Sequence, residues 1–210
     1  MNKILTKPYF LAYICGNTAS GKTNLAKYIV KSLFKSKKYD YILVFSPTSG
    51  ISDDGSYSFL PKELIHNTIN ENKIRNLMTF QKRNPNKKAL IVFDDCLGMF
   101  RKDSPTLNNF IISHRHYRCS VIFLSQYMKG INPTWRSNFS YLFISKPLSF
   151  EDIKKYKDIY FPDVSNLPEL FNKYAGEQYR FLFVDLLKPP EKKYKSIKAP
   201  KVKEFKINFH

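Results

Sequence analysis

No apolar run in this sequence approaches the roughly 18 residues that a membrane-crossing helix requires, so a helical span is excluded. Cysteine is scarce. Cys15, Cys96 and Cys119 are an odd number, and two of them sit in or beside apolar runs that read as buried strands. Reduced thiols in a cytosolic compartment are therefore expected, not a disulfide scaffold. The N-terminal stretch lacks the small-residue cleavage site of a secretion signal, because its apolar segment runs straight into a glycine-bearing loop. Acidic residues are also few. Against 35 lysines and arginines stand 17 aspartates and glutamates, a net charge of +18. Such a surface attracts polyanions and makes nucleic acid the leading partner; the alternative is that the lysines and asparagines reflect an AT-rich genome.

What is present fits one globular domain: 210 residues, 43% hydrophobic and 16% aromatic. The apolar runs Tyr9 to Cys15, Tyr41 to Phe45, Ala89 to Phe93, Val121 to Leu124 and Tyr141 to Ile144 read as strands buried on both faces. Leu25, Ile29 and Leu33 with Ala26, Val30 and Phe34 repeat at helical spacing and give way to Lys35, Lys37 and Lys38. Thr48 to Ser58 reads as an exposed loop, and Pro61 suits the first turn of a helix running in pieces to Lys82. Pro105 opens another helix, and Ser149 with Asp152 forms a capping box for one carrying Ile153, Tyr156 and Tyr160. Phe181 to Leu187 reads as a last strand, antiparallel at an edge. This alternation predicts an α/β fold with a mostly parallel sheet covered by helices on both faces. This domain is expected over 1–187. From Lys188 to the end, 188–210, the lysine-rich composition predicts a basic C-terminal tail.

Gly16-Asn17-Thr18-Ala19-Ser20-Gly21-Lys22-Thr23 matches the phosphate-loop pattern and lies between a buried strand and an amphipathic helix, as that motif requires. The glycines let successive N–H groups face phosphates, Lys22 neutralises the β- and γ-phosphates of ATP, and the Thr23 hydroxyl serves Mg2+. Asp94 and Asp95 close an apolar strand in a Walker B arrangement, with Asp94 holding magnesium and Asp95 orienting or deprotonating the attacking water; capping of the next turn is the bland alternative. Gln126 ends the next strand, where its amide could read the γ-phosphate. Arg115, Arg118 and Arg136 offer a finger toward a neighbouring subunit, or a surface for solvent or phosphate backbone. A zinc site from His114, His116, Cys119 and Cys96 is conceivable, although the spacing matches no familiar finger.

The order of parts, with His114-Arg115-His116 before the strand ending in Gln126 and Arg136-Ser137-Asn138 after it, resembles the viral genome-packaging ATPases of the FtsK-HerA superfamily. The likeness is to the poxvirus-like branch found among large DNA viruses and virophages, and it covers about Phe10 to Leu187. It implies a RecA-like P-loop core, assembled as a homo-oligomeric ring with a hexamer favoured, that hydrolyses ATP to push double-stranded DNA into a preformed capsid. It further implies Lys22 and Thr23 on phosphate and magnesium, Asp94 and Asp95 as Walker B, Gln126 as sensor, and Arg115 or Arg136 acting in trans. A capsid or portal-vertex partner, and a place in the host cytoplasm, the viral factory or the virion, follow from the same likeness. Rival readings are a nucleoside kinase and a non-catalytic ATP-binding switch.

Overall fold

The computed structural model describes residues 1, 4–47, 56–100, 104–127, 131–203 and 205–207. The apolar runs become strands: β1 (Leu11–Cys15), β2 (Tyr41–Phe45), β3 (Ile65–His66), β4 (Ala89–Asp94), β5 (Cys119–Ser125), β6 (Tyr141–Ser145), β7 (Arg180–Asp185) and β8 (Tyr194–Lys198). They make one eight-stranded sheet in the order β3-β2-β4-β5-β1-β6-β7-β8. Every pairing from β3 across to β6 is parallel, and β7 and β8 continue antiparallel.

The helices are α1 (Lys22–Lys35), α2 (Glu71–Arg83), α3 (Pro105–Ser113), α4 (Pro133–Arg136), α5 (Phe150–Tyr160) and α6 (Leu167–Ala175). Strand side chains alternate between two cores because successive Cβ atoms point to opposite faces. Leu11, Tyr13 and Cys15 join α2 to α6 on one face. Ala12 and Ile14 join Leu25, Ala26, Ile29, Val30 and Leu33 of α1 on the other. Each fully buried aliphatic side chain contributes about 1.5–3 kcal/mol. That packing, more than intrinsic propensity, holds a helix that would be marginal alone in water.

Asn70, Ser104, Asn132, Ser149 and Asn166 cap α2 to α6 through side-chain oxygens. Of the capping box expected at Ser149 one half is present, the Asp152 N–H donating to Ser149 Oγ at 3.1 Å, and the Asp152 carboxylate accepts from Ser149 Oγ at 2.7 Å. Three readings need correction. The stretch after Pro61 is a 3-10 turn, Lys62–Leu64, then the two-residue strand β3, and only then α2. A strand that short carries no periodicity to read. Helix α6, with Pro168 in its first turn, has no counterpart among the expected elements. And β7 is not at the edge, because Tyr194–Lys198 pairs along it. That segment, Tyr-Lys-Ser-Ile-Lys, carries Lys195 and Lys198, and lysine on an outermost strand opposes aggregation and makes the segment look like a tail. Of the loop expected over Thr48 to Ser58, residues 48–55 lie outside the described residues.

Candidate active site

Register brings the strand ends together. Cys15 lies opposite Ser125, and Asp94 opposite Leu124. The Gly16 N–H donates to Ser125 O at 3.2 Å and the Asp95 N–H to Leu124 O at 2.9 Å. Because β5 stands between β4 and β1, the residue after its end, Gln126, falls between the phosphate loop and the aspartate pair. Its amide oxygen accepts from Thr18 Oγ1 at 3.3 Å. Beneath the loop, the Tyr13 hydroxyl contacts Ser125 Oγ and donates to Tyr127 O, and the Tyr156 hydroxyl donates to Cys15 Sγ at 2.8 Å. These buried bonds tie β1, β5 and α5 together under the site.

The loop itself is shaped for phosphate. Gly21 takes the left-handed conformation (φ 93°) as the N-cap of α1 and offers no side chain, so the first-turn N–H groups lack the internal acceptor the other helices have. The first turn of α1 also carries no acidic residue. At Gly16 a Cβ would stand 2.4 Å from Ser145 Oγ, so glycine is required there by the approach of β6. Ser20 Oγ is buried and finds no hydrogen-bond partner among the described residues, which fits a site whose remaining acceptor is a phosphate oxygen. The Lys22 ammonium folds onto the carbonyls of Gly16 and Asn17, at 2.6 and 2.8 Å. Burial lowers its pKa, and the charges of Cys15, Asp94 and Asp95 oppose that shift. Lys22 and the aspartate pair thus sit within electrostatic reach of one another.

Asp94 is half-buried and accepts a hydrogen bond from the Tyr57 hydroxyl at 2.8 Å, whereas Asp95 is exposed and left-handed (φ 54°). Aspartate tolerates that conformation better than most residues. Thr23 lies in the first turn of α1. One hydroxyl and one carboxylate beside a phosphate cradle suit Mg2+, which takes few protein ligands and completes its shell with phosphate and water. Tyr57 and Ser145 were not singled out from the sequence. Neither belongs to a motif, and only the packing brings them to the site.

The basic residues divide. Arg115 stands in the turn before β5, at the amino edge of the sheet, roughly 20 Å from the loop across the length of that strand. Arg118 bonds the carbonyl of Gln81 at the same edge. Arg136 ends α4 and donates from Nε to Ile131 O at 3.0 Å. Neither Arg115 nor Arg136 bonds the loop within one protomer. The zinc reading fails on topology: Cys96 follows β4 at the carboxyl edge, whereas His114, His116 and Cys119 gather at the amino edge. His114 is buried, held by a contact from Nδ1 to Ile111 O, and burial lowers its pKa to about 4.

Among solved structures, the fold is similar to the genome packaging NTPase B204 of Sulfolobus turreted icosahedral virus 2, solved with ATP-gammaS. That match has a TM-score of 0.70 and 15% identity, and covers 93% of this chain and 100% of that one. The DNA-packaging ATPase B204 of Sulfolobus turreted icosahedral virus matches at a TM-score of 0.66 and 17% identity, over 90% and 97% of the two chains. The cytoplasmic domain of the type VII secretion ATPase EccC of Thermomonospora curvata shares the fold at 0.60 and 13% identity, over 93% of this chain and 24% of that one. In sequence, the uncharacterized protein L437 of Acanthamoeba polyphaga mimivirus is 25% identical over 185 residues, 80% of this chain; the chain spans 64% of that relative's length. The family model of the poxvirus A32 protein matches residues 1–166, a stretch that includes the phosphate loop, both aspartates and Gln126. On that match the chain belongs to the poxvirus A32 protein family.

Proposed function

We propose that this chain is a viral genome-packaging ATPase, a motor that couples ATP hydrolysis to movement of double-stranded DNA into a capsid. The observation that carries the reading is the meeting of Gly16–Thr23, the aspartate pair and Gln126 at one sheet edge, in a chain of the poxvirus A32 family. ATP binds with its phosphates along the loop, against the uncapped N-terminus of α1, and Lys22 turns from the loop carbonyls to the β- and γ-phosphates. Asn17 and Ser20 line the same cradle. Thr23 and Asp94 hold magnesium, which when bound neutralises charge on the transferring phosphoryl group. Asp95, exposed at the edge, orients the attacking water and accepts its proton. Gln126, between loop and aspartates, senses the γ-phosphate.

Among the described residues of one protomer no arginine bonds the loop, and we assign the finger's positive charge to a neighbour, from Arg115 or Arg136, in a homo-oligomeric ring with a hexamer favoured. The ATPase domain is read as 1–187, and within the lysine-rich tail beyond it Tyr194–Lys198 adds an outer strand to the domain's sheet. The host cytoplasm or viral factory is the place of action, with a capsid or portal-vertex protein as docking partner. The net charge of +18 supports a polyanionic track. Among the described residues no helix is long and apolar enough to cross a membrane.

The test measures ATPase rate with and without duplex DNA across a salt series, together with mass in solution with and without ATP. Duplex DNA should stimulate the rate, increasingly as salt falls, and Lys22→Ala should abolish it. A monomer whose rate ignores DNA at every salt concentration would overturn the reading, as would transfer of phosphate to a nucleoside.

A further inference from the structure

The far end of the chain reaches the site twice. After β8, the backbone passes the phosphate loop: a Cβ added at Gly21 would meet the Tyr179 ring at 3.2 Å and Ala199 Cβ at 3.3 Å, and the Ala199 N–H donates to Tyr179 O at 2.8 Å. The chain then crosses α1, where Lys31 Nζ donates to Lys203 O at 3.3 Å and lies 4.6 Å from the Phe205 ring centre. Beyond α1, Phe205 stacks on Phe59 with ring centres 4.4 Å apart, and the Ile207 N–H donates to Phe59 O at 3.1 Å. Phe59 in turn stands 6.0 Å, ring to ring, from Tyr57. Tyr57 is 2% exposed and its hydroxyl meets Asp94 Oδ2.

We propose that Tyr57 is a positioning residue for the Asp94 carboxylate, and that the C-terminal arm, through Ala199, Lys203, Phe205 and Ile207, holds Tyr57 in place. The inference rests on the reading of Asp94 as a magnesium ligand. A carboxylate at a strand end can rotate about its side-chain bonds. A charge-assisted bond from a buried phenol fixes one oxygen, and with it the plane that faces the loop. Outer partners of this kind commonly alter metal affinity by tenfold or more. The phenol itself is held by packing: Tyr57, Phe59 and Leu60 join the core on the α1 face of the sheet, and Phe205 stacks on Phe59 while the Ile207 N–H bonds its carbonyl. The arm therefore spans both halves of the site, from Gly21 to the residue next but one after Tyr57.

The test titrates a non-hydrolysable ATP analogue into the full chain by calorimetry, with and without Mg2+, and reads the factor by which magnesium tightens binding. Tyr57→Phe keeps the ring and removes only the hydroxyl. It should cut that factor roughly tenfold and leave magnesium-free affinity unchanged. Phe205→Ala should cut it in the same direction, and the double variant should be no worse than Tyr57→Phe alone. A wild-type factor in Tyr57→Phe overturns the positioning role, and a wild-type factor in Phe205→Ala overturns the role of the arm. Asp94→Asn separates this inference from the reading beneath it. If Asp94→Asn keeps the full magnesium effect, Asp94 is not a ligand and both fail; if it loses the effect while Tyr57→Phe keeps it, the inference alone fails. Amide hydrogen exchange at Ile207 gives a further readout, faster in Tyr57→Phe if the contacts form one unit.

Discussion

Replacing Gly16 by alanine should damage the phosphate loop for a reason unrelated to backbone freedom. An added Cβ would lie 2.4 Å from Ser145 Oγ, 2.9 Å from Ser145 Cβ and 2.7 Å from Ser20 Oγ. Ser20 can rotate away, but Ser145 ends β6, which pairs with β1 up to Cys15 and is itself buried. Relief therefore needs the two strand ends to part by several tenths of an ångström. Overpacking of this kind costs about 1–3 kcal/mol, which for a chain of this size lowers Tm by roughly 2–12 °C. Gly16→Ala should fall in that range by thermal melting and bind ATP more weakly, since a displaced loop no longer aims its N–H groups at the phosphates. The decisive measurement is a double-mutant cycle with Ser145→Gly, which removes both close atoms of the partner. The pair should recover about 1 kcal/mol or more relative to the sum of the single costs. Additive costs, or a Gly16→Ala protein as stable as the parent, would refute the steric account.

Three other outcomes are expected. Asp95→Asn should keep ATP affinity and lose about 10²-fold or more in kcat, because only proton acceptance from water is removed; equal loss of binding would contradict its role. His114 carries a pKa depressed to about 4, mainly by burial and also by Arg115, Lys7 and His116. A depressed histidine leaves the unfolded chain binding the proton first, so its share of stability is fully present above pH 6.5 and is lost as pH falls toward about 4, by roughly 3 kcal/mol. Urea midpoints at pH 7.5 and 5 should show about 2 kcal/mol of this loss in the parent and a smaller one in His114→Gln. Gln81, fully buried, donates to Tyr117 O at 2.6 Å and Lys87 O at 3.2 Å. Gln81→Leu should destabilise by about 1–3 kcal/mol in denaturant titration, since those carbonyls lose a buried donor.

By itself the sequence determined the local pieces: five short apolar runs that read as strands, the amphipathic α1, the Ser149 cap, and a glycine-flanked loop with Lys22 and Thr23 at its end. These are legible because period, capping and backbone permissiveness are properties of neighbouring residues. Strand order is not such a property. Only the tertiary structure decided that β5 lies between β4 and β1, and so that Gln126 stands between the loop and Asp94 and Asp95. It also decided that Arg115 lies at the opposite edge, that Ser145 presses on Gly16, and that Tyr57 and Phe205 back the Asp94 carboxylate. Those relations join residues distant in the chain through packing of two cores, and no short window of sequence carries them. The same reason explains β8. Its lysines, Lys195 and Lys198, describe a solvated segment, and only the open edge of β7 makes it a strand.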